Sequence, residues 1–194
     1  MIELGLPGAR VLFTDRTVDL RAEPERFGPV RRGRQVHGAR VLVDNEDDEA
    51  PSDGQVVTDR AHGALVLTAD CLPIVLSAPG AVALLHGGWR GLEAGIVAEA
   101  VALLDGPIAA ALGPSARGCC YEVGEEVHAP FASFDARVGA RNLALDVVAT
   151  AQLRAAGVAD VTDTGACTMC DERFFSHRRE GPAAGRQGAI VWRT

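Results

Sequence analysis

The chain has 194 residues, 47% hydrophobic and 23% charged, and a formal net charge of −7. That length and balance suit one globular domain with a sizeable core and exclude a long disordered chain. Lysine is absent and all 19 basic residues are arginine, which excludes Schiff-base and P-loop lysines, while the acidic balance argues against a nucleic-acid surface.

The opening segment, MIELGLPGARVLFTDRTVDL, has no basic start followed by an apolar block, so no signal peptide is expected. Val11–Thr14 and Ala39–Val43 read as strands. The acidic run 44–53, DNEDDEAPSD, reads as a solvated loop. Strands then crowd together at Gln55–Thr58, Ala64–Thr68, Leu72–Ser77 and Ala81–Leu85, with Gly63, Pro79 and Gly80 at their turns. Pro73, Pro79 and Gly80 also break the nearly uncharged stretch from Leu72 to Trp89, which argues against a membrane span.

Apolar residues at helical spacing predict a helix over Gly91–Leu104, followed by a strand at Ile108–Leu112. Glu122–Phe131 and Leu145–Ala156 read as helices, the second stopped by Gly157, and Val158–Val161 and Ala189–Trp192 close the chain as strands. The order predicts a layered α/β or α+β domain of mixed sheets flanked by helices, spanning residues 1–194.

Two of the five histidines stand in settings that suit chemistry. His37 lies in RQVHGARV and His86 in ALLHGGWRG, at a strand end followed by glycines that allow close approach to a ligand. Cys71, in LTADCLPIV, also lies at a strand junction. Two imidazoles and a thiolate form a zinc-compatible set that leaves a fourth tetrahedral position open. The competing reading is two satisfied core histidines and a buried thiol. Five cysteines, an odd number without an export signal, point to reduced thiols or metal ligands and a cytoplasmic location. Cys167 and Cys170 form a C-x-x-C that Cys119 and Cys120 could complete as a four-thiolate zinc knot. Adjacent cysteines make poor joint ligands, however, so packing is the expectation for all four. Arg16, Arg90, Arg178, Arg179 and Arg186 lie beside glycines, serine or strand ends, where a guanidinium can fork onto phosphate or carboxylate.

The blocks QVHG, TADCLPIVL, LLHGGWRGLEAGI, LGPSARGCCYEVGEEV and FFSHRREGPAAGRQ, taken in order, resemble the YfiH-like family. That family is also called laccase-domain or multicopper polyphenol oxidase proteins and includes purine nucleoside phosphorylases. The resemblance runs from Gln35 to Trp192 and weakens over residues 1–34, where FTDRTVDL keeps Arg16 but lacks the family's paired glycines.

The resemblance implies a fold related to the cytotoxic-necrotizing-factor deamidases and zinc (copper in vitro) on His37, Cys71 and His86. It further implies phosphorolysis of adenosine, inosine and methylthioadenosine, with adenosine deamination as a second activity. Cys71, His86 and Asp70 would then be catalytic, with Asp70 a proton carrier or an anchor. Gln35 would orient His37 or meet the base, and Arg16, Arg90 or Arg178 would hold phosphate. Five histidines cannot furnish a set of copper centres, which excludes a true laccase. The alternatives are a metal-free Cys71/His86 hydrolase or amidase, including one that edits peptidoglycan precursors, and a non-catalytic zinc- or nucleotide-binding domain. Purine nucleoside and phosphate are the expected partners, without nucleic acid or membrane.

Overall fold

The structure, a computed structural model, describes residues 1–194. In chain order it contains β1 (Ile2–Leu6), β2 (Ala9–Phe13), β3 (Val30–Arg31), β4 (Val41–Val43), β5 (Gly54–Val57), β6 (Gly63–Thr68), β7 (Leu72–Ala78) and β8 (Ala81–Gly87). Then come α1 (Trp89–Glu93), α2 (Ile96–Val101), β9 (Ala109–Leu112), α3 (Glu125–His128), β10 (Arg137–Val138) and β11 (Asn142–Leu143). The chain finishes with α4 (Leu145–Ala155), β12 (Asp160–Asp163), α5 (His177–Glu180) and β13 (Gln187–Arg193).

The architecture is mixed α/β. One sheet has the order β1-β2-β13-β6-β3 and the other β12-β9-β7-β8-β5-β4, with β10 and β11 as a separate pair. Strand alternation explains the layering. In β7, Leu72, Ile74 and Leu76 face the helices, whereas Val75 faces the other sheet. In β8, Ala83 and Leu85 face the helices and Val82 and Leu84 the sheet. Both faces are covered, so these strands read as continuous apolar runs rather than alternating ones. The far face of the five-stranded sheet is closed by a small cluster of Val18, Leu20, Leu65 and Ile190.

Two predicted helices come out shorter. The Gly91–Leu104 stripe divides at Gly95, whose φ of 88° ends one helical segment and begins the next, although Leu92, Ile96, Val97 and Ala100 share one core. Glu122 and Val123 are not helical, α3 starts at Glu125, and a 3-10 turn over Ala129–Phe134 with Pro130 follows. No helix is long and apolar enough to cross a membrane.

Candidate functional site

The register of the six-stranded sheet brings the first two site residues together. β7 and β8 are antiparallel with Pro73 opposite His86 and Leu72 opposite Gly87, so Cys71, just before β7, and His86, near the end of β8, share one edge. β5 flanks β8 on the other side with Gly54 opposite Leu85, which places Asp53 beside His86. His37 arrives on the loop between β3 and β4 in a left-handed conformation, φ 61°.

The ligand atoms of His37, Cys71 and His86 lie within 4.8 Å of one another. Cys71 Sγ is 3.9 Å from His37 Nε2, and the two imidazoles meet edge to face at 4.7 Å. Gly88 lines the cluster closely: a Cβ there would lie 3.1 Å from His37 Cδ2 and 3.5 Å from Cys71 Sγ. Soft and borderline donors converging from three elements fit zinc or a similar ion. Burial pushes the Cys71 thiol up, but His86 and His37 outweigh it and bring the thiol to about 6. Burial pushes His86 down, yet Cys71 and Asp53 raise it to about 9.

Asp53 is a site residue that sequence reasoning misses. It ends the acidic run read as a solvated loop, yet it is 1% exposed. Its Oδ1 accepts from His86 Nδ1 at 2.8 Å and from the His37 backbone N–H at 2.9 Å. Its Oδ2 accepts from the N–H groups of Val36 at 3.0 Å and Gly38 at 2.8 Å. Burial pushes the carboxyl up, but the His86 hydrogen bond and the backbone donors hold it below the usual carboxylate range. One carboxylate thus fixes the His86 ring, leaves its Nε2 for the cluster, and shapes the turn that carries His37. The other acidic residues of the run are partly or fully exposed: Asp48 pairs with Arg32 and Glu46 with Arg31. The available signal was position, since Asp53 alone of that run directly precedes a strand buried at every residue.

The other expected residues are placed less centrally. The Asp70 carboxylate accepts from Thr168 Oγ1 at 2.7 Å, Ser176 Oγ at 3.1 Å and the Arg178 N–H at 2.8 Å, so its oxygens face a buried hydrogen-bond net. The Gln35 side chain pairs like a strand with the Leu67 backbone, donating and accepting at 2.8 Å, and not with His37. Arg16 pairs with Glu180 at 2.7 Å and lies over Phe175, outside the depressions next to the cluster. Arg90 lies over Trp89, and Arg178 lies over Tyr121 and donates to the Glu122 carbonyl.

Two depressions meet at His37, Cys71 and His177. The smaller, about 180 Å³, is walled by Trp89, Arg90, Tyr121 and Arg178. The larger, about 560 Å³, is floored by Leu65 and Leu67 and carries Arg21, Arg34 and Arg186. None of these three arginines pairs with a carboxylate side chain; Arg186 donates to the Ala184 and Gly185 carbonyls. Burial, and then the neighbouring Arg21, lowers the pKa of Arg186. Of the three, the sequence flagged only Arg186.

A second cluster contradicts the packing expected for the remaining cysteines. Cys119 and Cys170 are exposed, and the sulfurs of Cys119, Cys120, Cys167 and Cys170 lie within 4.8 Å of one another.

The family model described as multi-copper polyphenol oxidoreductase laccase matches residues 18–194. A purine nucleoside phosphorylase of Corynebacterium glutamicum is 37% identical over 180 residues, covering 81% of this chain and 72% of that protein. One from Streptomyces coelicolor is 39% identical over 176 residues, with the same coverage. Among solved structures, a Neisseria meningitidis protein of the DUF152 family superposes with a TM-score of 0.87 at 26% identity, covering 99% of this chain and 98% of that one. YlmD from Geobacillus stearothermophilus gives 0.79 at 29% identity, covering 90% and 77%.

Proposed function

The chain belongs to the multi-copper polyphenol oxidoreductase laccase family, and from that premise we propose that it is a zinc-dependent purine nucleoside phosphorylase acting on adenosine, inosine and methylthioadenosine. The observation that carries this reading is the cleft where Arg21, Arg34 and Arg186, free of carboxylate partners, open onto His37, Cys71 and His86. Phosphorolysis needs a bound phosphate dianion beside a ribosyl centre that becomes cationic. Guanidinium forks supply the anion site, and of the two acidic residues that line the same cleft Asp48 is already paired with Arg32. The relatives' names fit the same substrate class.

His37, Cys71 and His86 would hold the ion, and Asp53 would keep His86 in the tautomer that presents Nε2. When bound, the ion supplies Lewis-acid polarisation to an oxygen of the substrate. The arginines orient phosphate for attack at the anomeric carbon, and the glycosidic bond breaks as the base departs. His177, which lines both depressions, is the group placed to give the departing base a proton. Arg90 and Arg178, the other arginines expected on phosphate, line the smaller depression beside Trp89 and Tyr121. We assign Asp70 to anchoring rather than proton transfer, because its oxygens already accept from Thr168, Ser176 and Arg178. Adenosine deamination would be a second activity of the same centre. Oxidase chemistry does not suit the chain, since only two of the five histidines enter the cluster. Five free thiols fit the reducing cytosol.

A second reading rests on the Cys71–His86–Asp53 arrangement, which has the order of a nucleophile, base and orienting acid. It makes the protein a metal-free hydrolase or amidase in which His37 is dispensable. Incubation with a nucleoside panel, with and without phosphate, separates the two. Phosphorolysis predicts free base plus the corresponding pentose 1-phosphate (ribose 1-phosphate, or methylthioribose 1-phosphate from methylthioadenosine) only when phosphate is present, and none from Cys71→Ala or His37→Ala. No base release from any nucleoside would overturn it, and an active His37→Ala protein would favour the dyad.

A further inference from the structure

We propose that Cys119, Cys120, Cys167 and Cys170 form a second metal site, a closed four-thiolate cage for a tetrahedral thiophilic divalent cation, with zinc as the ion its donors suit. The proposal is independent of the reaction assigned to the cleft.

The geometry carries it. Cys119 Sγ lies 3.6 Å from each of Cys120, Cys167 and Cys170. Cys120 Sγ lies 3.2 Å from Cys167 and 3.5 Å from Cys170. Five sulfur–sulfur separations of 3.2–3.6 Å describe a near-tetrahedron rather than two pairs. Thiolates about 2.3 Å from a central ion stand about 3.8 Å apart, so moving a few tenths of an ångström outward encloses one. A disulfide would need about 2.05 Å between two sulfurs and would leave the other two without a role. Apolar packing is no substitute, because the sulfurs face one another while Cys119 and Cys170 reach solvent.

The frame around the sulfurs is built to hold them. Cys119 and Cys120 lie on the segment after β9, and Cys167 and Cys170 on the segment after β12. Arg117 joins the two: it is bidentate to Asp163 at 2.7 Å and donates to the carbonyls of Gly113 and Ala166. The backbone of Ser115 and that of Thr168 also pair across the gap, Thr168 N–H to Ser115 carbonyl at 3.0 Å. The Arg179 guanidinium donates to the carbonyls of Thr168 and Met169, adding positive charge beside the cage. The neighbour-ligand objection drawn from the sequence fails because the turn over Arg117–Tyr121 presents both adjacent sulfurs to one centre.

Four protein donors fill a tetrahedral ion, which makes this site structural. As the ion enters, the thiols give up their protons to solvent and no electrons move. The clamped segments carry Ala116, whose N–H binds the Asp70 carbonyl at 2.8 Å, and Thr168, which binds its carboxylate. The cage therefore steadies the residue before Cys71 and positions the first cluster from outside it.

Metal analysis of the purified full chain tests this. The wild type should carry two zinc equivalents, Cys119→Ser/Cys170→Ser one, and His37→Ala/His86→Ala one. Cobalt(II) substituted into the histidine-deficient protein should give the intense visible bands of a four-sulfur tetrahedral site. Should the cysteine variant fail to fold, the histidine-deficient protein decides alone. A metal-free histidine-deficient protein, an unchanged metal count in the cysteine variant, or a Cys120–Cys167 disulfide in protein kept reduced would overturn the proposal.

Discussion

Asp53→Asn tests the link between fold and site most sharply. The substitution preserves shape but turns one carboxylate oxygen into an NH2 group. Oδ1 faces the donors of His86 and His37, and Oδ2 those of Val36 and Gly38, so either amide orientation sets an N–H group against two donors. Each buried donor left unsatisfied costs about 1–3 kcal/mol, and two cost about 2–6 kcal/mol. At about 2–4 °C per kcal/mol for a chain of this size, the metal-free protein should lose roughly 5–20 °C in Tm. Loss of the group that orients a histidine ligand should also weaken ion affinity by about 10–100-fold. Thermal unfolding monitored by circular dichroism reads the first effect, and competition with a chromogenic chelator reads the second. A variant that melts with the wild type and holds its ion equally well would refute the role given to Asp53.

Other outcomes follow from the same geometry. Gly88→Ala places a methyl 3.1 Å from the His37 ring, so chelator competition should show weaker ion binding while Tm in excess chelator changes little. Arg34→Ala, which removes an exposed cation of the cleft, should raise KM for phosphate in steady-state assays by about tenfold or more and leave KM for the nucleoside nearly unchanged. Asp59 accepts from Arg31 and from the backbone of Ala61 and His62, and although burial pushes its carboxyl up, these donors hold it well below the usual range. Its stabilisation is present above the ordinary aspartate pKa of about 3.9 and lost as pH falls through the folded value. Asp59→Asn should therefore melt below the wild type at neutral pH, with the gap closing on acidification.

Much of this molecule is legible in its sequence. The strands β6, β7 and β8 announce themselves because both faces of each are buried and their sequences are apolar almost throughout. β3, β10 and β11 have two residues each, too few for any period to register. The α1–α2 break escaped because Gly95 changes the chain direction without interrupting the apolar stripe. At the site, His37, Cys71 and His86 were visible through their strand-end glycines and proline and through the family blocks around them. Asp53 is hidden by company: five other acidic residues precede it in the same run, and only its place directly before β5 and its pairing with His86 set it apart. Arg21 and Arg34 lie in segments without periodicity, so nothing local shows that they line one cleft with Arg186. The adjacency of Cys119 and Cys120 argues against the cysteine cage in the sequence, a rule of spacing that the Arg117 turn circumvents.

Everything proposed for the cleft requires one ion held by His37, Cys71 and His86 at its mouth. Anomalous diffraction at the zinc edge, recorded from crystals of protein shown to release purine bases, tests it directly. An anomalous peak is expected among His37 Nε2, Cys71 Sγ and His86 Nε2. Density maps of that active protein with no anomalous signal at this position would contradict it.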